Sequence, residues 1–232
     1  MKKAPVVFGL LAVFLMTVLI AGCGEKAKET AAPGKQETKA PAESSKTDEP
    51  STADLLGKGK AIIELSYEYE AQMPDSEKIA AKTWIKGKKM RTEMNNPAEG
   101  GNIITIIDSE KGVAYVYQPA QKMATKMDIS MAQQEDSASP TETLESYKPD
   151  SMNLVGRETV DGKKCLVYEF KDENQTKAWL WEENGLPIKT EVMMDGKKAV
   201  GLFKNLKIGN IADSMFTLPE GTQIMELSLP KQ

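Results

Sequence analysis

Cys23 and Cys165 are the two thiols of this chain, and there is no histidine to activate either of them. The lack of imidazole excludes His-based nucleophile triads, histidine metal sites and imidazole acid–base chemistry. Cys165 lies in Lys164-Cys165-Leu166-Val167-Tyr168, alternates into an apolar face and reads as a small buried hydrophobe. No Gly-rich phosphate loop and no Gly-x-Ser-x-Gly elbow occurs. Carboxylates are plentiful, but Glu64, Glu68 and Glu70 read as the wet face of a strand. The expectation is a protein that is not an enzyme, with no catalytic residue, no metal and no cofactor.

Cys23 has a context of its own. Lys2 and Lys3 precede an uncharged, almost wholly apolar stretch from Ala4 to Ala21, and Leu19-Ile20-Ala21-Gly22 leads into the cysteine. This is the layout of a secretory signal. Its end resembles the lipobox of bacterial lipoproteins, which implies diacylglycerol on the Cys23 thiol and cleavage after Gly22. An uncleaved transmembrane anchor is the competing reading. The apolar run is 18 residues, near the lower limit for a span, and Pro5 and Gly9 interrupt it. Residues 1–22 are therefore expected to be a signal peptide. The product is expected on the extracytoplasmic face of the cell membrane, or at an outer membrane if the cell has one.

Without Lys2 and Lys3, 28 basic residues stand against 34 acidic ones. A mildly acidic chain is a poor nucleic-acid binder, since that binding rests on neutralising phosphates. It also lacks a polybasic patch for anionic headgroups, so the lipid is expected to hold it at the membrane. With Cys23 acylated, Cys165 is the one thiol left, and no internal disulfide can form. Residues 24–52 hold no aromatic and no aliphatic larger than alanine, and Pro33, Pro41 and Pro50 punctuate them. Such a segment cannot bury enough apolar area to offset its ordering entropy. Residues 23–54 are expected to be a lipidated, disordered tether with a mean reach of roughly 30 Å.

Residues 55–232 form the expected folded domain, and strands dominate it. In Ala61 to Glu70, Ile63, Leu65, Tyr67 and Tyr69 alternate with Glu64, Ser66, Glu68 and Glu70, the period of a half-buried strand. Similar runs occur at 78–86, 88–95, 102–108, 112–118 and 121–127, and again at 153–160, 163–171, 176–183, 186–194, 197–208 and 222–229. Lys86-Gly87-Lys88, Asp161-Gly162-Lys163, Glu183-Asn184-Gly185 and Asp195-Gly196-Lys197 supply hairpin turns. Short spacing demands antiparallel neighbours. The expected fold is mostly β: a single large curled antiparallel meander, a half-barrel of about 11 strands, with a few short helices closing the concave face. Those helices are expected over 51–58, near Met131, and after Pro140 with Ser139 or Thr141 as N-cap.

Several strands are apolar on both faces, notably Ile103 to Ile107, Val113 to Tyr117, Trp179 to Trp181 and Val192 to Met194. Such strands need cover on both sides, from helices or by curling over a cavity. Met90 and Met94, and Met123 and Met127, sit at even spacing on their strands. They suit either a pocket for variable apolar shapes or ordinary core filling.

Three stretches carry a resemblance. They are Trp84 to Glu93, Gly156 to Gly162, and Asp213-Ser214-Met215-Phe216-Thr217-Leu218-Pro219-Glu220-Gly221 before a last strand. With the meander and its mid-chain helical insertion, they resemble the LolA/LolB-like family of lipoprotein carriers and lipid-binding lipoproteins. The resemblance implies a half-barrel holding a lipid or a lipoprotein acyl chain. A cavity of that kind would draw on Trp84, Met90, Met94, Ile104, Ile106, Tyr115, Tyr117, Met123, Met127, Trp179 and Trp181. Arg91 would be a polar rim group or simply a solvated strand residue. Unlike the soluble carriers, this chain is expected to be lipidated, which favours work at one membrane face over shuttling. The alternative is a non-catalytic interaction module that holds an envelope protein partner, as a germination lipoprotein of similar fold does.

Overall fold

The computed structural model describes residues 51–96, 101–130 and 139–227. Cys23, the signal and most of the tether lie outside the described residues, as does the helix expected near Met131. The chain order begins with a helix, α1 (Thr52–Lys60), whose N-cap Ser51 accepts a hydrogen bond from the Asp54 amide at 3.1 Å. Asp54 in its first turn and Lys58 and Lys60 in its last complement the helix dipole. Twelve strands follow, matching the twelve runs read from the sequence: β1 (Glu64–Gln72), β2 (Ile79–Lys86), β3 (Lys89–Asn96), β4 (Gly101–Asp108), β5 (Val113–Gln118) and β6 (Met123–Asp128). After helix α2 (Pro140–Glu145) come β7 (Met152–Val160), β8 (Lys163–Phe170), β9 (Lys177–Trp181), β10 (Pro187–Met194), β11 (Lys197–Ile208) and β12 (Gln223–Glu226).

The strands form one open sheet in the order β12-β6-β5-β4-β3-β2-β1-β11-β10-β9-β8-β7, a curled half-barrel. It is two antiparallel meanders, β1–β6 and β7–β11, joined where β1 pairs with β11. The expectation of a single antiparallel meander needs one correction, because β12 runs parallel to β6, with Gln223 beside Met123 and Glu226 beside Lys126. The cause is connection length. Residues 129–151 and 209–222 are each long enough to cross a face of the sheet, as a parallel pairing or an edge-to-edge return requires. The hairpins hold as read: Asp161-Gly162 and Asp195-Gly196 both take positive φ at both turn positions.

The described parts of the two long connections lie on opposite faces. The face that carries the helices is the inner face. On β1 it bears Leu65, Tyr67, Tyr69 and Ala71. Leu55 and Leu56 of α1, with Leu144 of α2 and Tyr147 just beyond it, pack there against Leu65, Tyr67, Tyr168, Leu180, Ile188 and Phe203. Each large side chain fully buried in this way is worth about 1.5–3 kcal/mol. Ser139 proves to be the N-cap of α2: its hydroxyl accepts from the Glu142 amide, and Glu142 accepts in return from the Ser139 amide at 2.9 Å, a capping box before Pro140. The helices meet at Gly59, where an added Cβ would lie 2.4 Å from the Leu144 side chain.

The reverse face of β3–β6 has its own small core of Ile104, Ile106, Tyr117 and Ala124. Phe216 and Leu218 of the 209–222 connection cover it. This explains why β4 and β5 are apolar on both sides. The Phe-x-Leu-Pro-x-Gly stretch is a strap across the back of the sheet. Phe216→Ala is therefore expected to cost about 2 kcal/mol, less than a fully buried phenylalanine because Phe216 is only half-buried. A thermal melt lowered by about 4–8 °C checks it, and an unchanged melt would mean the strap adds nothing.

Candidate apolar binding site

Hairpin register decides which side chains share a surface. The Gly87-Lys88 turn sets Lys86 opposite Lys89, so Ile85 pairs with Met90, and Met90 in turn with Ile107. Side chains directly opposite point to the same face. The row Ile85–Met90–Ile107 therefore crosses three strands on the inner face. A second row, Ala81–Met94–Ile103, follows by the same pairing. On β6, Met123 and Met127 share the inner face with Val116 and Ala114 of β5. The inner face of β8–β10 is filled by Leu166, Tyr168, Leu180 and Ile188, all buried under the helices. The β2–β6 half is half-open, and Met94 is exposed.

Between the helices and this open half lies a cavity of about 340 Å³. Ile62, Ile63, Ile85, Met90, Ile107 and Ile129 supply its apolar lining. Lys60, Lys88, Lys89, Ser139, Thr141, Glu142 and Glu145 stand around it. Tyr67, on the same face, has its hydroxyl pushed well above the usual phenol range by burial, against a hydrogen bond with Thr83. It stays neutral at any physiological pH. Such a surface binds by desolvating apolar groups, with a few polar contacts to orient the ligand.

Of the residues the sequence offers for a cavity, Met90 lines it, and Met94, Met123 and Met127 lie on the same face. The others do not join them. Trp84 pairs with Arg91, Arg91 with Ile106, Ile106 with Tyr115, and Ile104 with Tyr117, all on the reverse face. Ile104, Ile106 and Tyr117 are buried there, with Tyr115 and the strap packed against them. Trp179 and Trp181 also face the reverse side, in the other half of the sheet. The Trp179 indole donates to Glu158 at 2.7 Å and Lys189 lies 4.2 Å from its ring centre, while Lys163 sits over Trp181. No single cavity can be lined by both sets. Period-two counting within one strand does not tell which face is which, and only the pairing between strands does.

Arg91 is neither a rim group nor a solvated one. Its side chain is 13% exposed, donates to Glu93 at 2.6 and 2.8 Å and donates to the Met215 carbonyl at 3.2 Å. It clasps the strap. The lining residues Ile62, Ile85, Ile107 and Ile129, and the lysines beside them, are not singled out by sequence reasoning. The Gly87 turn is signal enough for one of them, since counting outward from it places Ile85 beside Met90.

Cys165 is fully buried, its thiol donating to the Lys163 carbonyl at 3.4 Å, and burial pushes its pKa up to about 11. In the native protein, alkylation of Cys165 is expected to be slower by orders of magnitude than in urea, because reaction needs the thiolate and an opening of the sheet. Equal rates would contradict this burial. Among the described residues, no group of three or more acidic or cysteine side chains could hold a metal ion.

A family model described as a domain of unknown function, DUF4412, matches residues 67–186. That span runs from β1 to the β9–β10 turn, and so includes Ile85, Met90, Ile107 and α2. No curated protein sequence matches the chain. Among solved structures, an uncharacterized conserved protein from Thermus thermophilus is 11% identical, with a TM-score of 0.50 over 75% of this chain and 98% of that one. MucB, in the MucA/MucB complex of Pseudomonas aeruginosa, is 14% identical, with a TM-score of 0.47 over 77% of this chain and 65% of its own. The match thus spans less than two thirds of MucB. LprF from Mycobacterium bovis is 9% identical, with a TM-score of 0.47 over 74% of this chain and 95% of its own. At these identities the first likeness concerns the fold alone.

Proposed function

We propose, from the premise that this chain belongs to the DUF4412 family, that it is a non-catalytic, lipid-anchored envelope lipoprotein that holds an acyl chain on the inner face of its half-barrel. The observation that carries this reading is the cavity between α1, α2 and β2–β4, lined by Ile62, Ile63, Ile85, Met90, Ile107 and Ile129. Each methylene buried there gains about 0.8 kcal/mol and needs no polar match. At about 340 Å³ the cavity lies at the small end of ligand pockets, which suits one chain better than two. Methionines at Met94, Met123 and Met127 extend the same face and adapt to variable shapes. Anchoring through Cys23 would keep the site within tether reach of its own bilayer.

Native mass spectrometry of the protein purified without detergent tests this. The expected spectrum shows a non-covalent acyl-bearing adduct that leaves on collisional activation, distinct from any lipid bonded to Cys23. If no adduct is seen and an added fluorescent fatty acid does not bind, the reading is wrong.

A second reading, an interaction module for an envelope partner, has one observation in its favour. Leu154 and Val155 on edge strand β7, and Ile224 and Met225 on edge strand β12, are exposed. Open edges with exposed aliphatics accept an added strand. A partner crosslinked through β7 or β12 and lost on Val155→Lys would support this reading, whereas crosslinks confined to the inner face would refute it.

A further inference from the structure

We infer that the site takes an anionic amphiphile, with Lys88 and Lys89 holding a phosphate-bearing headgroup beside the apolar cavity. This rests on the acyl-binding reading above and adds the headgroup to it. Three observations carry it. The first is continuity. Ile63 lines the cavity and yet is 68% exposed, so an apolar path leads from Met90 out to the surface at the β2–β3 turn. An exposed isoleucine beside lysines is the shape of an amphiphile's own boundary between tail and head.

The second is the state of the cations there. Lys60 is paired with Glu145 at 3.3 Å, and Lys86 is taken by Asp213 at 3.1 Å and by the Ile211 carbonyl. Lys88 and Lys89 also line the cavity, and among the described residues neither has a carboxylate within ion-pairing distance. Most of the nearby acids have partners of their own. Glu142 caps α2, Glu64 accepts from the Ile211 amide and Asp108 is paired with Lys111 at 3.0 Å, while Glu110 lines the neighbouring groove with Lys88 and Lys89 without an ion pair to either. Lys89 feels the charge of Asp108, which leaves Lys88 the less neutralised of the two.

The third is rigidity. The Gly87 amide donates to the Ile63 carbonyl at 2.8 Å, and the Ser109 amide donates to the Lys88 carbonyl at 3.0 Å. The turn that carries the lysines is thus bonded to the start of β1 on one side and to the β4–β5 turn on the other. The backbone that carries the two lysines is therefore fixed at the end of the apolar path, where a phosphate on an acyl chain would arrive.

The test compares lysophosphatidylglycerol with the uncharged, phosphate-free monoacylglycerol of equal chain length, both below their aggregation concentrations, on the full chain by isothermal titration. The anionic lipid is expected to bind about five- to tenfold tighter at low salt, with the gap closing in high salt. In a Lys88→Gln, Lys89→Gln variant the gap between the two lipids should vanish through weaker binding of the anionic one. Equal affinity of the two lipids in the unaltered protein overturns the headgroup site and leaves the acyl reading standing. Failure of both lipids to bind overturns both. Inorganic phosphate alone is expected not to bind at millimolar concentration. If it binds as tightly as the anionic lipid, the site is one for free phosphate and the inference fails.

Discussion

Gly185→Ala is expected to lower stability by about 4 kcal/mol. Two costs add. Gly185 takes φ +78°, and alanine in that region costs about 1 kcal/mol. The added Cβ would also lie 1.9 Å from the Leu55 carbonyl oxygen, which belongs to the backbone of α1 and cannot swing aside. The helix has to move, and Leu55 and Leu56, both buried against the inner face, lose contact as it does. Partial exposure of two leucines accounts for about 3 kcal/mol more. Gly162→Ala is the control: φ there is +72°, but nothing lies within 4 Å of the new Cβ. Its expected cost is the conformational part alone, about 1 kcal/mol. Urea denaturation at constant m-value measures both. If the two substitutions cost the same, α1 is not seated against the β9–β10 turn as described.

Met90→Asp is expected to weaken binding of an acyl probe about a hundredfold. A carboxylate facing the chain forfeits the burial of about four methylenes, or roughly 3 kcal/mol. Met90 is half-buried at the cavity wall, so the fold should survive the change. Trp84→Ala supplies the contrast. Trp84 lies on the neighbouring strand, but on the reverse face beside Arg91, and its loss is expected to leave acyl affinity unchanged. Fluorescence titration with a fatty-acid probe reads both variants, and a circular dichroism melt checks that each is folded. Loss of binding in Trp84→Ala with none in Met90→Asp would place the ligand on the other face and end the proposal.

These variants isolate what is hard to read along the chain. The strands and most turns are legible, because alternation and Asp-Gly pairs are local signals. Glu64 to Gln72 shows its face pattern without any partner, and α2 follows from a cap within its first turn, narrowed by the structure from Ser139 or Thr141 to Ser139. The helix expected over 51–58 runs Thr52–Lys60, so it takes in the last residues assigned to the tether. The meander is legible only in part. The 209–222 strap and the parallel β12 depend on contacts between residues about a hundred apart, such as Glu226 with Lys126. The Phe-x-Leu-Pro-x-Gly stretch carries a family resemblance, yet its role is mechanical: Phe216 and Leu218 close the back of the sheet.

The sequence by itself determined the strand inventory, the hairpin turns, the α2 cap to within two residues, the exclusion of histidine chemistry and the apolar content that makes a binding face attainable. Each is a property of neighbours along the chain, set by φ preferences, side-chain period and composition. Only the tertiary structure decided which apolar residues face a ligand and which face the strap. Strands apolar on both sides carry no local mark of inside and outside. That choice is made by which segment covers which face: α2 lies on the side of Met90, and 209–222 brings Phe216 to the side of Ile106. The same choice turned Arg91 from a surface cation into a clasp and left Lys88 and Lys89 at the mouth.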